Sequence, residues 1–190
     1  VHAKKSILVT GTNGKTSVVS LLQHVMKSLG LKVKSIGNNG FPVLNHIEEQ
    51  VDYFVIEVSS FQIERTKSLS SLVSVLLNIS PDHLDVHDSF EQYTKIKKRI
   101  FENSNFKIGP EGTGLDLDFI MSEIIDHEIY NHEAVKSILL HLGLKKGCIE
   151  EKILTFNPLP HRLEDISLNK HLTIINDSKS TNPHSLNAAI

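Results

Sequence analysis

The segment Thr10-Gly11-Thr12-Asn13-Gly14-Lys15-Thr16-Ser17 restricts what this chain can fold into more than any other. It follows the apolar run Ile7-Leu8-Val9 and precedes an apolar-periodic stretch through Val18, Val19, Leu21 and Leu22. Strand, glycine-bearing turn and helix, in that order, is the setting of a phosphate-binding loop. Gly11 and Gly14 let backbone N–H groups turn toward an anion without a Cβ in the way. The helix N-terminus adds its partial positive charge. Lys15 is placed to reach terminal phosphates, and a hydroxyl of Thr16 or Ser17 to hold Mg²⁺. The longer pattern G-x-x-x-x-G-K-[ST] would need glycine where Val9 stands, so this is a shorter variant.

The remaining pattern extends that unit into an α/β sheet. Lys5–Thr10 reads as a buried strand and Lys15–Leu29 as a helix closed by Gly30. Leu31–Ile36 is a second strand, Tyr53–Ile56 a third ending at Glu57, and Val73–Leu77 a fourth ending at Asn78. Phe90–Phe101 reads as a strongly basic helix, Lys107–Asp118 as a turn-rich loop, Asn131–Leu142 as a helix stopped by Gly143, and Ile149–Leu154 as a shorter one. Continuous apolar strands alternating with helices predict a mostly parallel sheet of phosphate-loop type with helices on both faces. Ligands of such sheets bind at the strand carboxyl ends, where Gly11, Glu57 and Asn78 fall. Pro158-Leu159-Pro160 reads as a linker dividing residues 1–158 from 159–190. Beyond it, Leu172–Ile175 reads as a buried strand, followed by Asn176-Asp177 and a helix from about Pro183: the first part of a second, Rossmann-like α/β domain.

Composition narrows the partners. A formal charge of −2 over 190 residues gives no broad nucleic-acid-binding face. No apolar run approaches the roughly 20 residues of a membrane span. The single cysteine, Cys148, excludes an intrachain disulfide and suits the cytoplasm. The eleven histidines are scattered and expected mostly at the surface. The chain has no initiating Met and stops at Ala188-Ala189-Ile190 inside an apparent helix, and so is expected to be a piece of a longer protein.

Three further clusters bear chemistry. Glu57, directly after an apolar strand, stands where a Mg²⁺ ligand belongs, since that ion prefers oxygen and few protein carboxylates. Asp82-His83-Leu84-Asp85-Val86-His87 is an acid–imidazole run, open to reading as a metal site or as a hydrophilic loop. Lys95, Lys97, Lys98 and Arg99 form a basic run, of which most members are expected to be a solvated face. Arg162, after the proline-rich linker, is either a hinge residue or a phosphate clamp.

Taken together, these residues resemble the Mur ligases, ATP-dependent amide-forming enzymes of peptidoglycan synthesis. The resemblance rests on Thr10–Thr16, Glu57-Val58-Ser59-Ser60-Phe61-Gln62, Asn78-Ile79-Ser80-Pro81-Asp82-His83-Leu84-Asp85, Leu159-Pro160-His161-Arg162-Leu163-Glu164 and Asn176-Asp177-Ser178-Lys179-Ser180-Thr181-Asn182-Pro183, in order through nearly the whole chain. The second and fifth segments look like the D-glutamate-adding member of the family. The resemblance implies that Lys15 and Thr16 hold the ATP phosphates and Mg²⁺, with Gly11, Thr12, Asn13, Gly14 and Ser17 completing the loop. It implies two Mg²⁺ ions, held by Thr16, Glu57, His83 and Lys97, the last matching a family lysine that is carbamylated. Asn38, Ser59, Gln62 and His83 would face UDP-N-acetylmuramoyl-L-alanine, and Thr181 the incoming D-glutamate. Arg162, Asp177 and Lys179 would complete the ATP site. The adenine-side pattern His-Asn-x-x-Asn keeps its first asparagine as Asn131. Lys15, His83 and Lys97 are the implied catalytic residues, in a monomer. A sibling ligase such as folylpolyglutamate synthetase, and a nucleotide-binding module inactive by itself, stay open as alternatives.

Overall fold

A computed structural model describes residues 5–122, 126–167, 172–183 and 186. Every residue of strand β1 (Ser6–Thr10) is buried, which only a sheet covered on both faces allows. Helix α1 (Lys15–Ser28) buries Val18, Val19, Leu21, Leu22, Val25 and Met26, the spacing of one helical face. It stops where Gly30 takes φ 86° and the Gly30 and Leu31 N–H groups bond back to the Lys27 and Met26 carbonyls, a glycine-terminated cap.

Strand β2 (Val33–Gly37), β3 (Tyr53–Glu57), a short helix α2 (Ser60–Arg65) and β4 (Ser71–Leu76) follow. Helix α3 (Phe90–Lys98) runs into a 3-10 turn at Arg99–Phe101. Then come β5 (Ser104–Pro110), β6 (Phe119–Met121), α4 (His127–His141) and α5 (Lys146–Ile153). The six strands form one parallel sheet in the order β2-β3-β1-β4-β5-β6. Leu8, Phe54, Ile56 and Leu76 face one way, onto Ile63 of α2 and Ile96 and Ile100 beyond it. Ile7, Val9 and Val55 alternate to the opposite face, where α1 packs on the central strands and α4 and α5 pack on α1. The chain leaves β1 toward β2 on one side and later returns to add β4 on the other. The strand order therefore reverses at the carboxyl end of β1, the place where such sheets bind ligands.

Several elements differ from the sequence reading. Lys107–Asp118 is not all loop: it begins inside β5, which pairs with β4 from Ser71↔Ser104 to Val75↔Ile108. Lys107, Gly109 and Pro110 hid this strand, and only Ile108 and Gly109 in it are buried. Helix α2 was also unforeseen, being too short to show a period, and α4 starts four residues earlier than expected, at His127.

The chain divides into two compact units, Val1–Thr155 and Phe156–Ile190. In the second, β7 (Glu164–Asp165) pairs antiparallel with β8 (Ile175–Asn176). The expected buried strand at Leu172–Ile175 is not found: Leu172 is 58% and Ile175 45% exposed. A strand is buried on both faces only with neighbouring strands and covering helices, and the described residues of this unit supply a single two-residue partner. The helix expected from Pro183 lies largely outside the described residues.

Candidate functional site: a clamped phosphate loop facing a buried lysine

The loop after β1 is held from the end of β4. Asn13 N–H donates to Asn78 Oδ1 (2.9 Å), Asn78 Nδ2 donates to the Asn13 carbonyl (3.2 Å), and Thr12 N–H donates to the Asn78 carbonyl (3.0 Å). Gly14, at φ 82°, precedes the first residue of α1. A Cβ there would also meet Asn131 Oδ1 at 2.8 Å, so Asn131 lies beside the loop. Lys15 folds back on the turn, its Nζ donating to the Gly11 and Thr12 carbonyls at 2.9 Å each. Thr16 and Ser17 occupy the first turn of α1.

Lys97 is 2% exposed, although it belongs to the run expected to be mostly solvated. Its Nζ donates to the same Gly11 carbonyl (2.8 Å) and lies 4.8 Å from the centre of the Tyr93 ring, one helical turn earlier. Burial, reinforced by the Lys15 ammonium and opposed by Asp82, pushes the Lys97 amine down to about 7. The Tyr93 hydroxyl shares a 3.1 Å hydrogen bond with Thr12 Oγ1, which also accepts from Ser80 N–H (3.0 Å). Burial pushes the Tyr93 phenol up to about 12. Of the other basic residues, Lys95 is exposed. Lys98 donates to the Thr113 carbonyl, and Arg99 bonds the Ile63 and Thr66 carbonyls and Glu102. Arg99 thus satisfies the open carbonyls at the end of α2 instead of facing solvent.

Glu57 ends β3 at 2% exposure. Its Oε1 accepts from Asn38 Nδ2 (3.1 Å), while its Oε2 is buried with no hydrogen-bond partner among the described residues. Gly37, at φ 105°, lets β2 pass so close that a Cβ would meet the Glu57 carbonyl oxygen at 2.2 Å. The backbone then turns so that Asn38 N–H donates to that carbonyl (2.9 Å). An unpartnered buried carboxylate oxygen is costly, and a hard cation such as Mg²⁺ takes oxygen donors of this kind. Among the described residues no group of three or more His, Cys, Asp or Glu side chains converges as a metal site. The run from Asp82 to His87 is therefore not a self-contained metal centre. A cation at Glu57 would complete its shell from hydroxyls, water or substrate oxygens.

A cleft of about 250 Å³ joins these parts. Thr12, Lys15, Tyr93 and Lys97 line it together with Asn38, Ser59–Phe61 and Asp82–His83. Ser59 and Gln62 form the reciprocal capping box that starts α2. His83 stands at φ 52°, a left-handed conformation costing on the order of 1–3 kcal/mol for a residue other than glycine. Tyr93 and the clamp by Asn78 were not singled out from sequence, and Phe61 only as part of a motif. Tyr93 lies four residues before Lys97, the spacing that puts two side chains on one helical face.

In the second unit, Asp177 Oδ1 accepts from Leu163 N–H (3.2 Å), and Lys179 N–H donates to the His161 carbonyl (3.2 Å). Arg162 sits between His161 and Leu163, both at positive φ. These contacts gather Arg162, Asp177 and Lys179 into one turn system, and Thr181 follows it exposed.

Fold and loop together define a phosphate-loop protein with a parallel α/β sheet. Residues 9–109 match the family model described as the Mur ligase middle domain, and the chain belongs to the Mur ligase family. It is similar to the UDP-N-acetylmuramoylalanine–D-glutamate ligase of Francisella tularensis subsp. novicida, with 36% identity over 208 residues covering 98% of this chain and 50% of the relative. The same enzyme of subsp. mediasiatica is 36% identical over 207 residues, at 98% and 50% coverage. The chain thus spans about half the length of these relatives. In fold it is similar to MurF from Acinetobacter baumannii (TM-score 0.77, 19% identity, 98% of this chain and 53% of that one). It is likewise similar to the MurF ligase from Thermotoga maritima in complex with ADP (TM-score 0.77, 16% identity, 98% and 56%). No helix among the described residues is long and apolar enough to cross a membrane.

Proposed function

We propose that this chain carries the nucleotide-binding part of an ATP-dependent ligase that joins D-glutamate to UDP-N-acetylmuramoyl-L-alanine, the substrates named for its Francisella relatives. The observation that carries the reading is the convergence of Lys15 and Lys97 on one carbonyl, Gly11, in a cleft that Asn38 and His83 also line.

A carboxylate is too poor an electrophile for an amine. The γ-phosphoryl group of ATP is first transferred to a carboxylate oxygen, its bond to ADP breaking, to give an acyl phosphate. The D-glutamate nitrogen then attacks the acyl carbon, phosphate departs, and the nitrogen loses a proton. Such transfer depends on positioning and charge neutralisation more than on covalent protein chemistry. Lys15 would exchange the Gly11 and Thr12 carbonyls for phosphate oxygens, with Gly11–Ser17 as the cradle and Asn131 beside it. Thr16, Glu57, His83 and a Lys97 carbamate would hold up to two Mg²⁺ ions. Bound there, Mg²⁺ would supply positive charge along the phosphates. An amine with a pKa of about 7 is substantially neutral at neutral pH, so the Lys97 nitrogen can add to the carbon of CO₂ and release a proton. Asn38, Ser59, Gln62 and His83 would orient the muramoyl substrate. Arg162, Asp177 and Lys179 would serve ATP, and Thr181 D-glutamate. We place the reaction in the cytoplasm, on a monomer.

Calorimetric titration of the chain with ATP and Mg²⁺ tests the reading. Lys15→Ala removes a charge-assisted contact worth about 1.5–3 kcal/mol, so affinity should fall roughly ten- to hundredfold. Glu57→Gln should weaken the Mg²⁺ dependence of binding. ATP binding indifferent to Lys15 would overturn the assignment.

A further inference from the structure

His87 has no part in the proposed chemistry, and it departs from the expectation that the histidines lie mostly at the surface. It is 3% exposed. Its Nε2 and Ser60 Oγ share a 3.1 Å hydrogen bond, and Ser60, itself 2% exposed, opens α2. The His87 ring stacks on Phe61 with centroids 5.1 Å apart and planes 16° apart. The same Phe61 ring meets His83 edge-on, at 5.2 Å and 62°. The Tyr93 ring also meets His87, at 5.2 Å and 48°. Along the backbone, His87 N–H donates to the His83 carbonyl (3.0 Å), closing a single turn whose first residue, His83, has φ 52°.

We infer that His87 is a positioning residue for His83. Its ring fixes Phe61, its bond to Ser60 ties the Asp82–His87 loop to the start of α2, and its N–H closes the turn that holds His83 in a left-handed backbone. His83 is exposed at the cleft, with 49% of its side chain accessible, and besides the Phe61 edge its ring meets Asp82, whose Oδ2 lies 3.8 Å from Nε2. An exposed imidazole with few contacts samples several rotamers, whereas one held against an aromatic edge by a buried stack presents a single orientation. Two histidines four residues apart thus divide their tasks: one reaches the cleft and the other anchors it. This deepens the ligase reading, on which only the use made of His83 rests; the geometry of the anchor stands without it.

The test is the His83 imidazole Hε1–Cε1 NMR cross-peak, assigned through His83→Asn, in the chain without nucleotide. His87→Ala should displace or broaden it, because Phe61 loses the ring that holds it, while the far-UV circular dichroism stays that of the folded chain. His87→Phe restores the stack without the Ser60 bond and should return the peak toward its original position. A folded His87→Ala protein with an unmoved His83 peak overturns the inference. Should His87→Ala fail to fold, Ser60→Ala is read instead, where displacement supports the anchor and an unmoved peak refutes it. The readout needs neither ATP nor turnover, so its failure is separate from a failure of the ligase reading, which the Lys15 titration measures.

Discussion

Replacing Lys97 by methionine removes a buried amine while keeping an unbranched, flexible side chain in its place. In the unfolded chain this lysine titrates at the ordinary 10.5, and in the folded protein at about 7. Between those values the unfolded state binds more protons than the folded one, so stability rises with pH across that window. Below about pH 7 the folded state carries the full penalty of a buried ammonium. The fall from 10.5 to about 7 corresponds to about 5 kcal/mol as an upper limit, relieved at about 1.4 kcal/mol per pH unit until it vanishes above the unfolded pKa. Lys97→Met has no such group. Its stability advantage over the parent should be largest at pH 6, shrink steadily from about pH 7 to pH 10, and be offset by loss of the Gly11 bond, worth about 1 kcal/mol. The assay is urea unfolding at a series of pH values in CO₂-free buffer, compared as a difference so that other lysines cancel. A difference independent of pH would refute the claim that Lys97 is held in a desolvating position.

Two further perturbations probe the same corner of the molecule. Asn78→Ala deletes both hydrogen bonds to Asn13, at about 1 kcal/mol each, so unfolding free energy should drop by roughly 1–3 kcal/mol and ATP affinity with it; an unchanged urea midpoint would show that the loop holds its shape unaided. In ¹³C-bicarbonate at pH 8, the parent chain should show a carbamate carbon signal that Lys97→Met lacks, and a signal surviving that substitution would place the carbamate elsewhere.

What sequence conveyed about this molecule followed from the period of its burial. β1, β3 and β4 lie inside the sheet, so their runs are mostly apolar, interrupted in β4 by the buried Ser74, and the residues just past them could be placed at one sheet edge without knowing any contact. β5 escaped because Lys107 and Pro110 break its apolar run and only Ile108 and Gly109 in it are buried, although it is paired on both sides, with β4 and β6. The strand read into Leu172–Ile175 shows the converse: an apolar run states only that burial is available, and neighbours decide whether it is used.

The site was legible to the extent that its chemistry is local. The loop from Gly11 to Ser17 declares itself because glycines, lysine and hydroxyls must be adjacent to cradle a phosphate. Lys97 is the opposite case. Its neighbours in sequence are Ile96 and Lys98, and no composition rule distinguishes it from Lys95 two residues before. What distinguishes it is that α3 crosses the end of β1 with Tyr93 and Lys97 inward, setting an ammonium against the one carbonyl that Lys15 also uses. Two cations on one acceptor is an arrangement that folding by itself disfavours, since the Lys15 ammonium lowers the affinity of the Lys97 amine for a proton. Such a conflict relaxes when anionic phosphate draws Lys15 away from Gly11, or when Lys97 gives up its proton. Under the proposed function either event would remove like-charge repulsion at the same carbonyl, so nucleotide binding and deprotonation of Lys97 would be coupled through Gly11 and, by linkage, each would bias the other.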